Sequence, residues 1–98
     1  MDTFIKQPHE ILDYDVDFTA FLAITPADTL STATSAISGG TASLTDYLTI
    51  DTTVVATPIV KVWLSKGQTG NKYKVTVIAT TVGGRVKEHE FYIKVKDL

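Results

Sequence analysis

Apolar and polar residues alternate most cleanly in the last third of the chain. Tyr73, Val75, Val77 and Ala79 sit two apart, with Lys74 and Thr76 between them. Phe91, Ile93 and Val95 repeat the pattern, with Tyr92, Lys94 and Lys96 in the alternate places. A period of two puts every second side chain on one face of a strand. Strands are therefore predicted over Tyr73–Val82 and Arg85–Lys96. Gly83-Gly84 between them predicts a two-residue hairpin turn with φ > 0 at both glycines. Val60, Val62 and Leu64 alternate with Lys61, Trp63 and Ser65, which predicts a strand over Ile59–Ser65. Lys66–Lys72 contains Gly67, Gly70 and Asn71 and is predicted as a loop.

The first half carries the same signal more weakly. Leu12, Tyr14, Val16 and Phe18 alternate with Asp13, Asp15 and Asp17, the pattern of a half-buried strand with a wet face. Phe21 and Leu22 break the phase, so a bulge or bend is expected near Thr19-Ala20. Thr25-Pro26-Ala27-Asp28 predicts a turn. Leu30–Ile37 is rich in Ser, Thr and Ala; its Thr content and flanking turns favour a strand over a helix. Ser38-Gly39-Gly40 ends it. Leu44, Leu48 and Ile50 point to a strand near Tyr47–Ile50, and Thr52–Thr57 to an edge strand that Pro58 interrupts. Residues Met1–Glu10 are expected to be irregular or extended, with Phe4 and Ile5 covered by the body or by a neighbouring subunit. Seven strands with turns every eight to twelve residues is the spacing of a sandwich. Tyr73 opens the penultimate strand after a Gly-containing loop, as in a tyrosine corner.

Composition agrees. Thr, Val and Ile form about a third of the 98 residues, and such side chains pack well on pleated sheets. The expected fold is all-β: one immunoglobulin-like antiparallel β-sandwich of about seven strands over residues 1–98, with a short N-terminal arm over about 1–9. The net charge of −2 leaves no basic footprint for nucleic acid. No apolar run approaches a membrane span, and MDTFIKQPHE has the form of no signal peptide, so folding in a cytoplasm is expected. The chain has no cysteine, which excludes a disulfide scaffold and a thiolate metal site.

Candidate chemistry is sparse. Asp13, Asp15 and Asp17 open like an EF-hand loop, but Phe18 and Ile24 stand where its Gly and Glu belong. A solvated or partner-facing strand face is the expected use, with no metal. His9 and His89 are too few for a zinc site. His9 is expected to be exposed, and His89 to lie at the sandwich rim. No nucleophile motif and no phosphate loop is present. No catalytic residue and no cofactor are therefore expected, and the chain is expected not to be an enzyme. Lys74, Lys94 and Lys96 form an outward stripe. Trp63 is expected in the core, with an outward position as the alternative. Residue chemistry alone goes no further than a soluble β domain.

Two blocks of sequence carry a resemblance. The first is Ile5-Lys6-Gln7-Pro8-His9-Glu10-Ile11-Leu12-Asp13-Tyr14-Asp15-Val16-Asp17-Phe18, with Phe21 three residues on. The second is Val62-Trp63-Leu64-Ser65-Lys66-Gly67-Gln68-Thr69-Gly70-Asn71-Lys72-Tyr73-Lys74-Val75, followed by Thr80-Thr81, Gly84-Arg85 and Val95-Lys96-Asp97-Leu98. Together they resemble small immunoglobulin-like, fibronectin-III-like structural proteins of tailed phages and prophages. The chain departs from that pattern at Gln7, at Lys66 and across Leu30–Pro58. The resemblance implies a non-enzymatic virion structural or assembly protein that binds other virion proteins of head, neck, tail or fibre. It would sit in the virion after assembly in the host cytoplasm, with self-association open and no nucleic acid or membrane as partner. The residues expected to make protein contacts are Phe4, Ile5 and Lys6 of the arm and Gly67, Gln68, Thr69, Gly70, Asn71 and Lys72 of the loop. The alternative is a sandwich module that binds carbohydrate or a cell surface.

Overall fold

The computed structural model describes residues 2–24, 28–40 and 47–97. Seven strands and one short helix follow in order: β1 (Thr3–Lys6), β2 (Leu12–Asp17), α1 (Thr19–Ala23), β3 (Leu30–Gly39), β4 (Thr49–Ala56), β5 (Ile59–Ser65), β6 (Lys72–Thr81) and β7 (Val86–Val95). A four-stranded sheet runs β1-β7-β6-β3, and a three-stranded sheet runs β2-β5-β4. The fold is an all-β sandwich.

The core comes from the alternation. Val60, Val62 and Leu64 of β5 are fully buried, as are Tyr73, Val75, Val77 and Ala79 of β6 and Ile93 and Val95 of β7. Each Val, Leu and Ile among them contributes about 1.5–3 kcal/mol on burial. One side of the sandwich is closed by aromatic rings. Phe4 lies 5.3 Å from Tyr14 and 5.8 Å from Phe91, centroid to centroid. On the other side the hydroxyls of Ser35 in β3 and Thr53 in β4 bond to each other.

About seven strands were expected and seven are present among the described residues, but two differences cancel. The two short strands expected around Asp51 are one strand, β4, with a register shift between Ile50 and Thr52. The added strand is β1, which pairs in parallel with β7 from Thr3↔Tyr92 to Lys6↔Val95. Four residues are too few to show a period. The bend expected at Thr19-Ala20 is helix α1, which starts where the Asp17 carboxylate accepts the Thr19 N–H at 2.8 Å. Pro58 lies in the two-residue turn between β4 and β5 rather than within a ladder. The β6–β7 connection is also longer than expected. Thr81 N–H bonds to Arg85 O, and only Gly84 of the glycine pair has a positive φ, at 87°. This is the three-residue form of hairpin loop. The expected turn residues Thr25, Pro26 and Ala27, and Leu44, lie outside the described residues.

Trp63 corrects another expectation. It faces Asp13 on β2 and Thr52 on β4, on the outer face of the three-stranded sheet. Val62 and Leu64 take the inward places on either side of it. His89 is exposed, with its ring 6.4 Å from that of Phe18.

Candidate functional site

Both segments expected to make contacts meet at one end of the sandwich. The meeting begins with the phase of β1. Phe4 and Lys6 share the inward face, opposite Ile93 and Val95. Lys6 is fully buried. Its Nζ donates to the carbonyl oxygens of Lys66 at 2.6 Å, Gln7 at 2.8 Å and Pro8 at 3.4 Å. A lysine can enter an interior only when its three donors find acceptors. Burial pulls its pKa down from 10.5, against the charges of Glu10 and Asp51, which push it up. The ammonium thus ties the end of β1 to the start of the β5–β6 loop.

Each of the two segments is fixed by its own bonds. Glu10 N–H donates to Gln7 O at 3.2 Å, and the Glu10 carboxylate accepts the Gln7 N–H at 2.7 Å. In the β5–β6 loop, Lys66 and Gly67 have φ of 64° and 107°. A Cβ on Gly67 would stand 2.6 Å from Val95 Cγ2, so glycine alone fits there. Gly70 N–H donates to Val95 O, and Val95 N–H donates back to Asn71 O. The Tyr73 hydroxyl accepts from Gln68 N–H at 3.0 Å and from Asn71 Nδ2 at 3.3 Å. Tyr73 is fully buried, so its phenol anchors the loop from below, as expected of a tyrosine corner.

Between the segments lies an open cleft of about 290 Å³, lined by Pro8, His9, Lys66, Gly67, Gln68 and Thr69. Its groups are one imidazole, one ammonium, an amide and a hydroxyl on a braced backbone. Such a set can hydrogen-bond a protein segment or a polar ligand.

The nine residues expected at contacts divide on inspection. Thr69, Gly70 and Lys72 are exposed at this end, and Gln68 and Asn71 are half-buried. Ile5 is 57% exposed and points outward beside Lys94. Phe4 is 40% exposed but serves chiefly as a lid on Tyr14 and Phe91. Lys6 and Gly67 are buried and support the site from beneath, because their strand phase and backbone geometry turn them inward. Pro8 and His9 were not among the nine and line the cleft. Only the convergence of the two segments marks them.

The opposite end is fastened by charge. Arg85 Nε and Nη2 donate to Asp28 Oδ2 at 3.0 and 2.9 Å, and Gly83 N–H donates to Asp28 Oδ1 at 2.9 Å. The guanidinium also lies 4.4 Å over the Phe21 ring. Desolvation pushes the Asp28 pKa up, but bonds from Gly83, Thr81 and Arg85 hold it below the usual carboxylate value. Among the described residues no group of three or more His, Cys, Asp or Glu gathers as a metal site would require.

Comparison with curated proteins returns no match. A family model described as podophage GP4 fiber-tail adaptor protein gp77 matches residues 6–94. That span takes in the first block from Lys6 onward, the second block over Val62–Val75 and the whole of the cleft. The chain therefore belongs to the gp77 fiber-tail adaptor family and is a phage virion structural protein.

Proposed function

We propose that the chain is a non-enzymatic adaptor that joins fibre and tail proteins in a podophage virion, and that it meets them through the cleft end. The family match over residues 6–94 carries this reading. The structure supplies a physical basis for it. An adaptor has to hold two partners at a spacing, and the two-layer sandwich is 43 Å along its longest axis. At the cleft end, Lys6, Tyr73 and Gly67 brace two exposed backbone segments from below, so a partner meets a preformed surface and less ordering entropy is lost on binding. Assembly in the host cytoplasm is part of the same proposal.

The immunoglobulin-like reading of the sandwich draws on the sheet order. In an immunoglobulin constant domain the second, fifth and fourth strands share one sheet, and the third, sixth and seventh the other. Here β2-β5-β4 and β7-β6-β3 divide the same way, with β1 on the edge beside β7. The buried Tyr73 at the start of β6 adds to it.

Mass spectrometry of purified particles, with pull-down of fibre and tail proteins by wild type and by Thr69→Arg, tests the proposal. Incorporation is expected, with capture lost in the variant. Absence from particles would sink it. The carbohydrate alternative draws on one observation, Trp63 on an open sheet face beside Asp13. A glycan array probed with wild type and Trp63→Ala decides that reading.

A further inference from the structure

One end of the four-stranded sheet's outer face is basic, with Glu88 and Glu90 farther along β7, and the outer face of edge strand β2 is acidic at the same two-residue spacing. On the four-stranded sheet Lys72 stands directly across from Lys94, and Lys74 across from Tyr92. Lys96 continues the line, its N–H on Lys6 O at 3.0 Å. Three basic rungs thus follow at two-residue intervals, spanning about 13 Å. Like charges directly across a ladder cost stability. Only Lys74 has a carboxylate partner among the described residues, Glu90 at 3.1 Å; Lys72 rests over the Tyr92 ring at 4.3 Å.

The three-stranded sheet presents the reverse. Asp13, Asp15 and Asp17 point outward from edge strand β2, again three rungs two residues apart over about 13 Å. Lys61 answers the first two, at 2.8 and 3.5 Å, and leaves the row negative. The lysine and aspartate rows lie on opposite outer faces of the sandwich, so one chain cannot pair them with each other.

We propose that the three basic rungs of one copy (Lys74, then Lys72 with Lys94, then Lys96) dock on the Asp13, Asp15 and Asp17 row of a second copy. Charge complementarity and equal rung spacing select this occupant. The net charge of −2 argues against nucleic acid at the lysines. The contact uses a different patch on each partner, so it is heterologous and repeats from copy to copy. It goes beyond the adaptor reading and needs no fibre or tail protein.

Sedimentation velocity of the purified chain tests it. Wild type is expected to associate at low ionic strength and to dissociate at about 0.5 M salt, where the screening length falls to a few ångströms. Lys72→Glu/Lys94→Glu and Asp13→Lys/Asp15→Lys are each expected to weaken association by at least about tenfold alone. Mixing the two variants is expected to restore it, because the reversed faces complement each other. All four side chains reach solvent, so melting temperature reports separately on folding. Asp13→Asn/Asp15→Asn provides a milder variant, with association weakened in the same direction. A wild type that stays monomeric at low salt, or a mixture that fails to associate while both variants are folded, overturns the proposal. Particle incorporation is read independently, so failure of the adaptor reading would be seen apart from failure of this contact.

Discussion

Replacing Lys6 by Met removes the ammonium at the cleft end while keeping a long apolar stem. The side chain is fully buried, and its two shortest bonds reach Lys66 O at 2.6 Å and Gln7 O at 2.8 Å. Hydrogen bonds to a charged group contribute about 1.5–3 kcal/mol each, so the pair amounts to roughly 3–6 kcal/mol. Against this stands the cost of keeping an ammonium out of water, several kcal/mol, which the methionine no longer bears. Gln7 O and Pro8 O belong to half-buried residues and can turn to water. Lys66 O has to find a new donor. The balance is a destabilisation of about 2 kcal/mol, a fall in melting temperature of about 10 °C for a domain this size. Urea unfolding gives the global value. Hydrogen exchange gives the location: amides of residues 3–6 and 66–71 are expected to exchange faster, while those of β5 and β6 follow only the global change. A variant as stable as wild type, or more stable, would refute the reasoning. It would mean that the three carbonyls do no more than offset the burial of the charge.

Gly67→Ala is expected to cost about 2–3 kcal/mol in urea unfolding, because φ is 107° and the new Cβ would stand 2.6 Å from Val95 Cγ2. Tyr14→Phe is expected to raise stability by about 1 kcal/mol by the same measure, since the buried Tyr14 hydroxyl has no hydrogen-bond partner among the described residues. Asp28 titrates below its usual 3.8 in the folded chain, so its contribution is present above that value and is lost as pH falls through the lower, folded value. The urea midpoint of wild type should exceed that of Asp28→Asn at neutral pH, and the gap should close as pH drops below about 4.

The alternation in β2, β5, β6 and β7 was legible because one face of each strand meets the core and the other meets water. The loop Lys66–Lys72 was legible from its glycines, and the anchoring phenol from the position of Tyr73. What escaped has physical causes. β1 is four residues long, and one of its inward positions is a lysine, which reads as surface until three carbonyls are seen around its Nζ. β4 was divided in two because Asp51 shifts the phase at a register irregularity. Trp63 was expected in the core, with an outward position as the alternative, yet the alternation of Val62 and Leu64 already placed it outside. Period outweighed hydrophobicity there. The cleft was half visible: the loop wall was expected, whereas Pro8 and His9 of the other wall were not, because their place depends on β1 lying against β7, a pairing with no local signal.

That pairing has a bearing on when the site comes into being. Thr3 and Tyr92 are neighbours in space and lie at the two ends of the sequence. Contacts between such distant parts of a chain form late, because the intervening loop must close first. Lys6 cannot reach the Lys66 carbonyl until its strand has docked, and Gly70 cannot bond Val95 before β7 is in place. An unfinished molecule therefore has no cleft at all: its two walls come together only in the completed sandwich.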